Sequence, residues 1–361
     1  MNQPLRHLPV TTIVGVLLLF TPGVGAARPL TFDVTIGDCA PSGHAPAGST
    51  WFISWSIEGE LRVKGLQQVK ATPAGTWAMR CQAGVRIEGD DVFVAQTATR
   101  TRQVTVPRLG LWTNREADGI KVQGPASTYL MLGFSPLDGL APGGETARDV
   151  FQTGTDGTYT SNAWALTGGD RVSLTWMGAE GDTVRRVVTV PYLGVWLQSG
   201  DIFGAARPGE HVLVSLYRPV VPDVTMLHLS ADSSGDFKGT FLDVDGDPVR
   251  IHAGNQLNAS DNGEFGGVAK DAAFTVSVEP NQFGPASAAM NSLNGVCLPG
   301  GAYAVLVRPA GGGAKTVRYG IAGPGGEFFV RTASVMKHGD PLEFRCKLPT
   351  GDVVGYRTAN Y

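Results

Sequence analysis

One pattern of turns and strands is written four times along this chain, and that recurrence limits the available folds more than any other feature. A Gly-Asp turn followed by an apolar strand occurs at Gly89-Asp90, Gly169-Asp170, Gly246-Asp247 and Gly339-Asp340, a recurrence of roughly 80 to 90 residues. Ahead of each lies a glycine, a small or polar residue and an aromatic: Gly75-Thr76-Trp77, Gly157-Thr158-Tyr159, Gly235-Asp236-Phe237 and Gly326-Glu327-Phe328. Such a period is too long for a solenoid rung and suits a small domain with its own core.

Further landmarks follow the same period. Val104-Thr105-Val106-Pro107-Arg108-Leu109-Gly110-Leu111-Trp112 matches Val188-Thr189-Val190-Pro191-Tyr192-Leu193-Gly194-Val195-Trp196, with both prolines, both glycines and both tryptophans in register. Val276-Ser277-Val278-Glu279-Pro280 is a looser third copy. Alternating segments fall at Trp51–Ile57, Leu130–Phe134, Val212–Tyr217 and Tyr303–Val307, the period of half-buried strands. Ser135-Pro136, Arg218-Pro219 and Arg308-Pro309 close three of them, because proline cannot donate to a ladder. Asp118-Gly119, Asp156-Gly157, Asp245-Gly246, Asn262-Gly263 and Asn294-Gly295 supply tight-turn chemistry. With 49 Gly and 23 Pro among 361 residues, breakers make up about one-fifth of the chain, which suits many short strands and stays below the level of disorder.

Positions 1–27 read as a secretory signal: Arg6 and His7, an apolar Val10–Phe20, and the small residues Val24-Gly25-Ala26. That apolar stretch is about half of what a membrane-spanning helix needs, so no transmembrane segment is expected in the mature chain. Leu348-Pro349-Thr350-Gly351 has some likeness to a sortase signal, but lacks one residue and a hydrophobic tail, and reads as a turn. Export implies an oxidising compartment, in which four cysteines form two disulfides. Cys39 and Cys81 fall in the first repeat and Cys297 and Cys346 in the last, so these are the expected structural pairs. Cys39 and Cys297 occupy similar places, shortly before the strand that opens each unit.

A net charge of −3 with interspersed signs leaves no large basic surface, so no nucleic-acid partner is expected. Arg100, Arg102 and Arg108, echoed by Arg185-Arg186, read as solvated edge charges that discourage sheet-to-sheet pairing. No catalytic, cofactor-binding or metal residue is assigned. Asp243-Val244-Asp245-Gly246-Asp247 has the carboxylates of a calcium loop but lacks a downstream bidentate glutamate, and reads as a hairpin turn. There is no nucleophile elbow, and His44, His211, His228, His252 and His338 are scattered; His228 beside Ser230 and Asp232 reads as a polar strand flank. Trp51 and Trp55 alternate into a core, and Trp112 and Trp196 sit at matched positions near joints.

The glycine-bounded opening strand, the Gly-x-aromatic turn and the Gly-Asp strand together resemble bacterial immunoglobulin-like modules. The best copy is Arg207-Pro208-Gly209-Glu210-His211-Val212-Leu213-Val214, then Gly235-Asp236-Phe237, then Gly246-Asp247-Pro248-Val249-Arg250-Ile251. The resemblance covers nearly the whole mature chain, with the first unit the poorest match. It implies an all-β chain of four tandem immunoglobulin-like β-sandwiches, at 28–105, 106–190, 191–278 and 279–361, after the signal at 1–27. It further implies a secreted or cell-surface, non-enzymatic spacer, adhesion or assembly rod without a cofactor, whose partner is an extracellular protein or glycan. Glycan or protein binding through loops at one end of a unit is the main rival, and hydrolysis at an interdomain cleft the third reading.

Overall fold

The computed structural model describes residues 29–361 except 58–62, 82–83, 116, 136–146, 219–222, 253, 262–271, 278–291, 309–314, 332–339 and 359–361. Residues 1–27, read from the sequence as a secretory signal, and Pro136, Pro219, Pro309, Asn262-Gly263, Val278–Pro280, His338 and Gly339 thus lie outside the described residues. Every described element is a strand, and no helix among them is long and apolar enough to cross a membrane.

The first unit contains β1 (Thr31–Thr35), β2 (Ser42–His44), β3 (Thr50–Ile57), β4 (Val63–Lys70), β5 (Thr76–Ala78), β6 (Asp91–Gln96) and β7 (Thr101–Thr105). The second has β8 (Gly110–Asn114), β9 (Gly119–Gln123), β10 (Tyr129–Ser135), β11 (Ala147–Gln152), β12 (Thr158–Ser161), β13 (Arg171–Met177) and β14 (Thr183–Thr189). The third runs β15 (Tyr192–Leu197), β16 (Asp201–Ala205), β17 (His211–Arg218), β18 (Asp223–Ser230), β19 (Asp236–Thr240), β20 (Gln256–Asp261) and β21 (Ala272–Ser277). The last holds β22 (Ser292–Val296), β23 (Ala302–Val307), β24 (Thr316–Ile321), β25 (Glu327–Arg331), β26 (Leu342–Lys347) and β27 (Val353–Thr358).

Each unit splits its strands in the immunoglobulin-like way. In the first three, the first, second and fifth strands form one sheet, and the fourth, third, sixth and seventh form the other. The last unit follows the same plan when β22 is counted as a second strand, since β22 pairs with β25 and the order β24-β23-β26-β27 makes the other sheet. On that count the four alternating segments read from the sequence are all the third strand: β3, β10, β17 and β23. Their inward residues, such as Ile53, Leu132, Val214 and Val305, are buried because a period of two puts them on one face. The Gly-x-aromatic step opens the fifth strand in every unit, with Gly75, Gly157, Gly235 and Gly326 at φ of +79°, +78°, +89° and +85°. Only glycine takes that backbone without strain, so the step is a turn requirement.

Gly89-Asp90 and Gly169-Asp170 lead into the sixth strand of their units and Asp340 stands just ahead of β26, but the third copy is placed differently. Gly246-Asp247 lies in a turn before the isolated Leu242–Pro248 bridge, and the structural counterpart is Gly254-Asn255, immediately ahead of β20. The recurring chemistry is a buried Asp or Asn at the strand entry, namely Asp91, Asp170, Asn255 and Asp340. In three of them the side-chain oxygen accepts the backbone N–H of the residue three back: Glu88 to Asp91, Thr167 to Asp170 and His252 to Asn255. Asparagine makes that bond as well as aspartate does, so a search for Gly-Asp misplaced the copy.

The units are not autonomous along their edges. β1 pairs in parallel with β14, so the β5-β2-β1 sheet of the first unit continues into the β14-β13-β10-β11 sheet of the second. β15 pairs in parallel with β27 in the same way, joining the third unit to the fourth in another seven-stranded sheet. One apolar core extends from Leu30 to Val190, and Val354 of the last unit packs into the third unit's core. The tandem units are therefore joined edge to edge in two pairs, and are not the independent sandwiches that the repeat alone suggests. An opening strand has two edges, and each pair uses the second edge to remove an exposed one.

Cys39 is bonded to Cys81 and Cys297 to Cys346, with Cα separations of 4.9 and 5.7 Å. The two bridges are placed differently: Cys39 precedes the second strand of its unit, whereas Cys297 follows it and Cys346 lies within β26.

Candidate functional site

Two of the buried aspartates, Asp182 and Asp352, sit where one unit meets the next, and these two joints are built alike. In the second unit the turn 178–182 links β13 to β14: Gly178 N–H bonds Asp182 O at 2.9 Å and Gly181 N–H bonds Gly178 O at 3.0 Å. In the fourth unit 348–352 repeats it, with Leu348 N–H on Asp352 O at 2.7 Å and Gly351 N–H on Leu348 O at 2.8 Å. Gly181 and Gly351 hold φ of +87° and +89°. These turns aim one aspartate each at the opening strand of the preceding unit. Phe32 N–H donates to Asp182 Oδ1 at 2.9 Å, and Leu193 N–H donates to Asp352 Oδ1 at 2.9 Å.

An arginine from a further element completes each joint. Arg102 on β7 donates from Nη2 to Asp182 Oδ2 at 2.6 Å and pairs through Nε with Glu180 Oε2 at 2.9 Å. Its guanidinium also lies over the Phe32 ring, 6.0 Å from the centroid. Arg115 grips Asp352 with both ends, Nη1 to Oδ1 at 2.9 Å and Nη2 to Oδ2 at 3.1 Å, and reaches the carbonyls of Pro191 and Thr350. Such a two-pronged bond fixes orientation as well as charge. Because Arg115 belongs to the second unit, it also ties the two pairs together. Gly168 N–H on Thr350 O and Lys347 near Asp170 join the same seam. Burial pushes the Asp182 carboxyl above its ordinary value, against the opposing pull of Phe32 N–H and Arg102.

Around the second joint, rings lie flat on glycines. Trp196 covers Gly355 and Phe203 covers Gly194, leaving no room for a Cβ at either glycine. Arg357 stacks 3.6 Å above the Trp196 ring and Arg345 5.2 Å from it, both bound to Glu343. Burial raises the Tyr192 hydroxyl pKa, with Asp236 adding to it and Arg345 opposing.

Arg102 is thus a half-buried joint residue and not a solvated edge charge, and Arg186 points inward with a guanidinium pKa lowered first by burial and then by Arg207. Arg108 does behave as a surface charge, paired with Asp90 while 82% exposed. Asp243 Oδ1 accepts the N–H groups of Asp245 and Asp247 in an exposed turn, and no group of three or more His, Cys, Asp or Glu among the described residues could hold a metal. His228 does not meet Ser230 in a relay. Ser230 Oγ instead lies 3.2 Å from His211 Nδ1 across the β17–β18 ladder, while Asp232 caps its own turn through Ser234 and Asp236 N–H. None of the seven tryptophans is exposed; Trp51, Trp55, Trp77 and Trp196 are buried and Trp112, Trp164 and Trp176 half-buried. Leu348–Gly351 is the tight turn at the second joint.

Asp182 and Asp352 are the residues that sequence reasoning missed. Gly181-Asp182-Thr183-Val184 and Gly351-Asp352-Val353-Val354 were visible as a matched pair, two repeats apart along the chain.

No family model matches this chain, and no curated protein matches it. Among solved structures it is similar to a tetra-tandem repeat in the extending region of a large adhesion protein, at 11% identity and a TM-score of 0.19, covering 91% of this chain and 98% of that one. It is also similar to the native conformation of E. coli alpha-2-macroglobulin, at 9% identity and a TM-score of 0.19, over 93% of this chain and 30% of that one. A third similar structure is chicken CNTN1 FN1-FN3, with 10% identity, a TM-score of 0.17 and coverage of 70% and 98%.

Proposed function

We propose that the chain is an extracellular architectural protein of the adhesion, spacer or assembly class, without catalysis or a cofactor. The supporting observation is where the polar investment goes. Both Asp–Arg constellations join units, each carboxylate accepting a backbone N–H of a neighbouring unit's opening strand as well as its arginine. The two disulfides fit an oxidising compartment and close loops in the first and last units. The partner is an extracellular protein or glycan. A glycan platform of exposed tryptophans gains no support, because those rings are used in cores and joints.

The test uses cells lacking the chain. Restoring it is expected to restore adhesion or surface assembly, and a His211→Ala, Ser230→Ala variant is expected to work as well as the wild type. Dependence on His211 and Ser230, with turnover of an ester or peptide substrate, would reverse the reading.

A further inference from the structure

β7 is the first unit's counterpart of β14 and β27, but its outer edge carries no strand among the described residues. The match of Val104–Pro107 to Val188–Pro191 sets Thr99 and Thr101 at the positions of Thr183 and Arg185, the residues that receive β1 in the second unit. In the fourth unit the equivalent stretch, Val353–Tyr356, receives β15. Val106 bonds to Asp90 and Asp91 through its backbone, and Arg100 O accepts Thr97 N–H. The even-numbered residues of β7 therefore face β6, and Thr101, Gln103 and Thr105 turn their N–H and C=O groups the other way.

That side is a cleft of about 790 Å³ with Thr99–Thr105 as one wall and the 178–182 turn of the joint opposite. Leu30, Trp51 and Trp176 give it apolar surface. Arg102 also lines it, and its Nη1 is buried with no hydrogen-bond partner among the described residues. The strands that dock on this edge elsewhere in the chain show what fits. Phe32-Asp33-Val34 and Leu193-Gly194-Val195 are extended, and their first and last side chains are almost wholly buried, while the middle position takes a half-buried Asp33 or a Gly194 covered by the Phe203 ring.

We propose that this cleft binds an extended segment of another protein, of apolar–x–apolar pattern, which adds to β7 as a parallel strand. The backbone of Thr101, Gln103 and Thr105 supplies affinity and the apolar floor supplies selectivity. This goes beyond the architectural reading, which stands whether or not the cleft binds.

The experiment titrates the intact protein with a labelled synthetic peptide of residues 30–36, Leu-Thr-Phe-Asp-Val-Thr-Ile, and with a control carrying Asp at the Phe and Val positions. Saturable binding of the first and not the second is expected. Gln103→Pro removes one donor on the open edge and should weaken binding about tenfold, the worth of one hydrogen bond. Gln103→Ala should leave it unchanged. In the wild type the peptide should slow exchange of the Thr101, Gln103 and Thr105 amides, a readout that holds if Gln103→Pro fails to fold. No binding overturns the proposal, as does equal binding of the control or binding that leaves those amides unprotected.

Discussion

Asp352→Ala tests the second joint most severely. The carboxylate is fully buried and accepts Leu193 N–H at 2.9 Å, two Arg115 nitrogens at 2.9 and 3.1 Å, and Thr350 Oγ1 at 2.8 Å. Removing it strands a backbone donor, worth about 1–3 kcal/mol when buried. It also leaves a guanidinium that is only 12% exposed without its counter-charge, and breaking such a pair costs about 3–5 kcal/mol in all. Arg115 keeps the Pro191 and Thr350 carbonyls, which holds the expected loss near the lower end, about 3 kcal/mol. Arg115→Ala should cost a similar amount. The double variant should fall short of the sum by about 1–3 kcal/mol, because the second change removes a group already orphaned. Denaturant unfolding read by near-ultraviolet circular dichroism measures all three, with Arg108→Ala at the exposed Asp90 pair as a comparison expected to lose less than about 1 kcal/mol. A loss below about 1 kcal/mol for Asp352→Ala, or simple additivity, would refute the joint as described.

Reduction should act on both ends of the chain. Closing loops of 42 and 49 residues is worth about 4 kcal/mol each in the chain-entropy account, so Cys39→Ala/Cys81→Ala and Cys297→Ala/Cys346→Ala should each lower the unfolding midpoint sharply, and an unchanged midpoint in calorimetry would contradict it. Carboxyl titration by NMR should place Asp182 above the ordinary value of 3.8 and Asp156 below it. The Asp182 share of stability then declines as pH rises from that value through its raised pKa, whereas the Asp156 share is present above the unfolded value and is lost as pH falls through its depressed pKa. Gly351→Ala should destabilise by at least about 1–2 kcal/mol, since it strains a left-handed backbone and drives a Cβ into Gly168; a neutral effect in the same denaturation assay would count against the turn.

Much of the fold was legible because its signals are local. Alternation in Trp51–Ile57 or Val212–Tyr217 and the glycine before Trp77 or Phe237 report one strand or turn, and the backbone demands them wherever they fall. The cysteine pairs were readable because each lies inside one repeat. The joints were not read, since a strand such as Thr31–Thr35 carries no mark of which unit supplies its second neighbour. That choice rests on Asp182 meeting Phe32 N–H, a contact 150 residues long in sequence. The arginine reading failed for the same reason: Arg102 resembles any edge charge until Asp182 and Glu180 are placed beside it. The third Gly-Asp copy failed differently, because Asn255 fulfils the bonding role that was sought only as aspartate.

Amide hydrogen exchange on the intact chain tests the pairing of units most directly. Phe32 and Ile36, bonded to Asp182 and Arg185, and Leu193, bonded to Asp352, should exchange as slowly as amides of the interior strands β3 and β17. Exchange of those three at the rate of exposed edge strands would mean that each unit closes on itself and that the shared sheets do not exist.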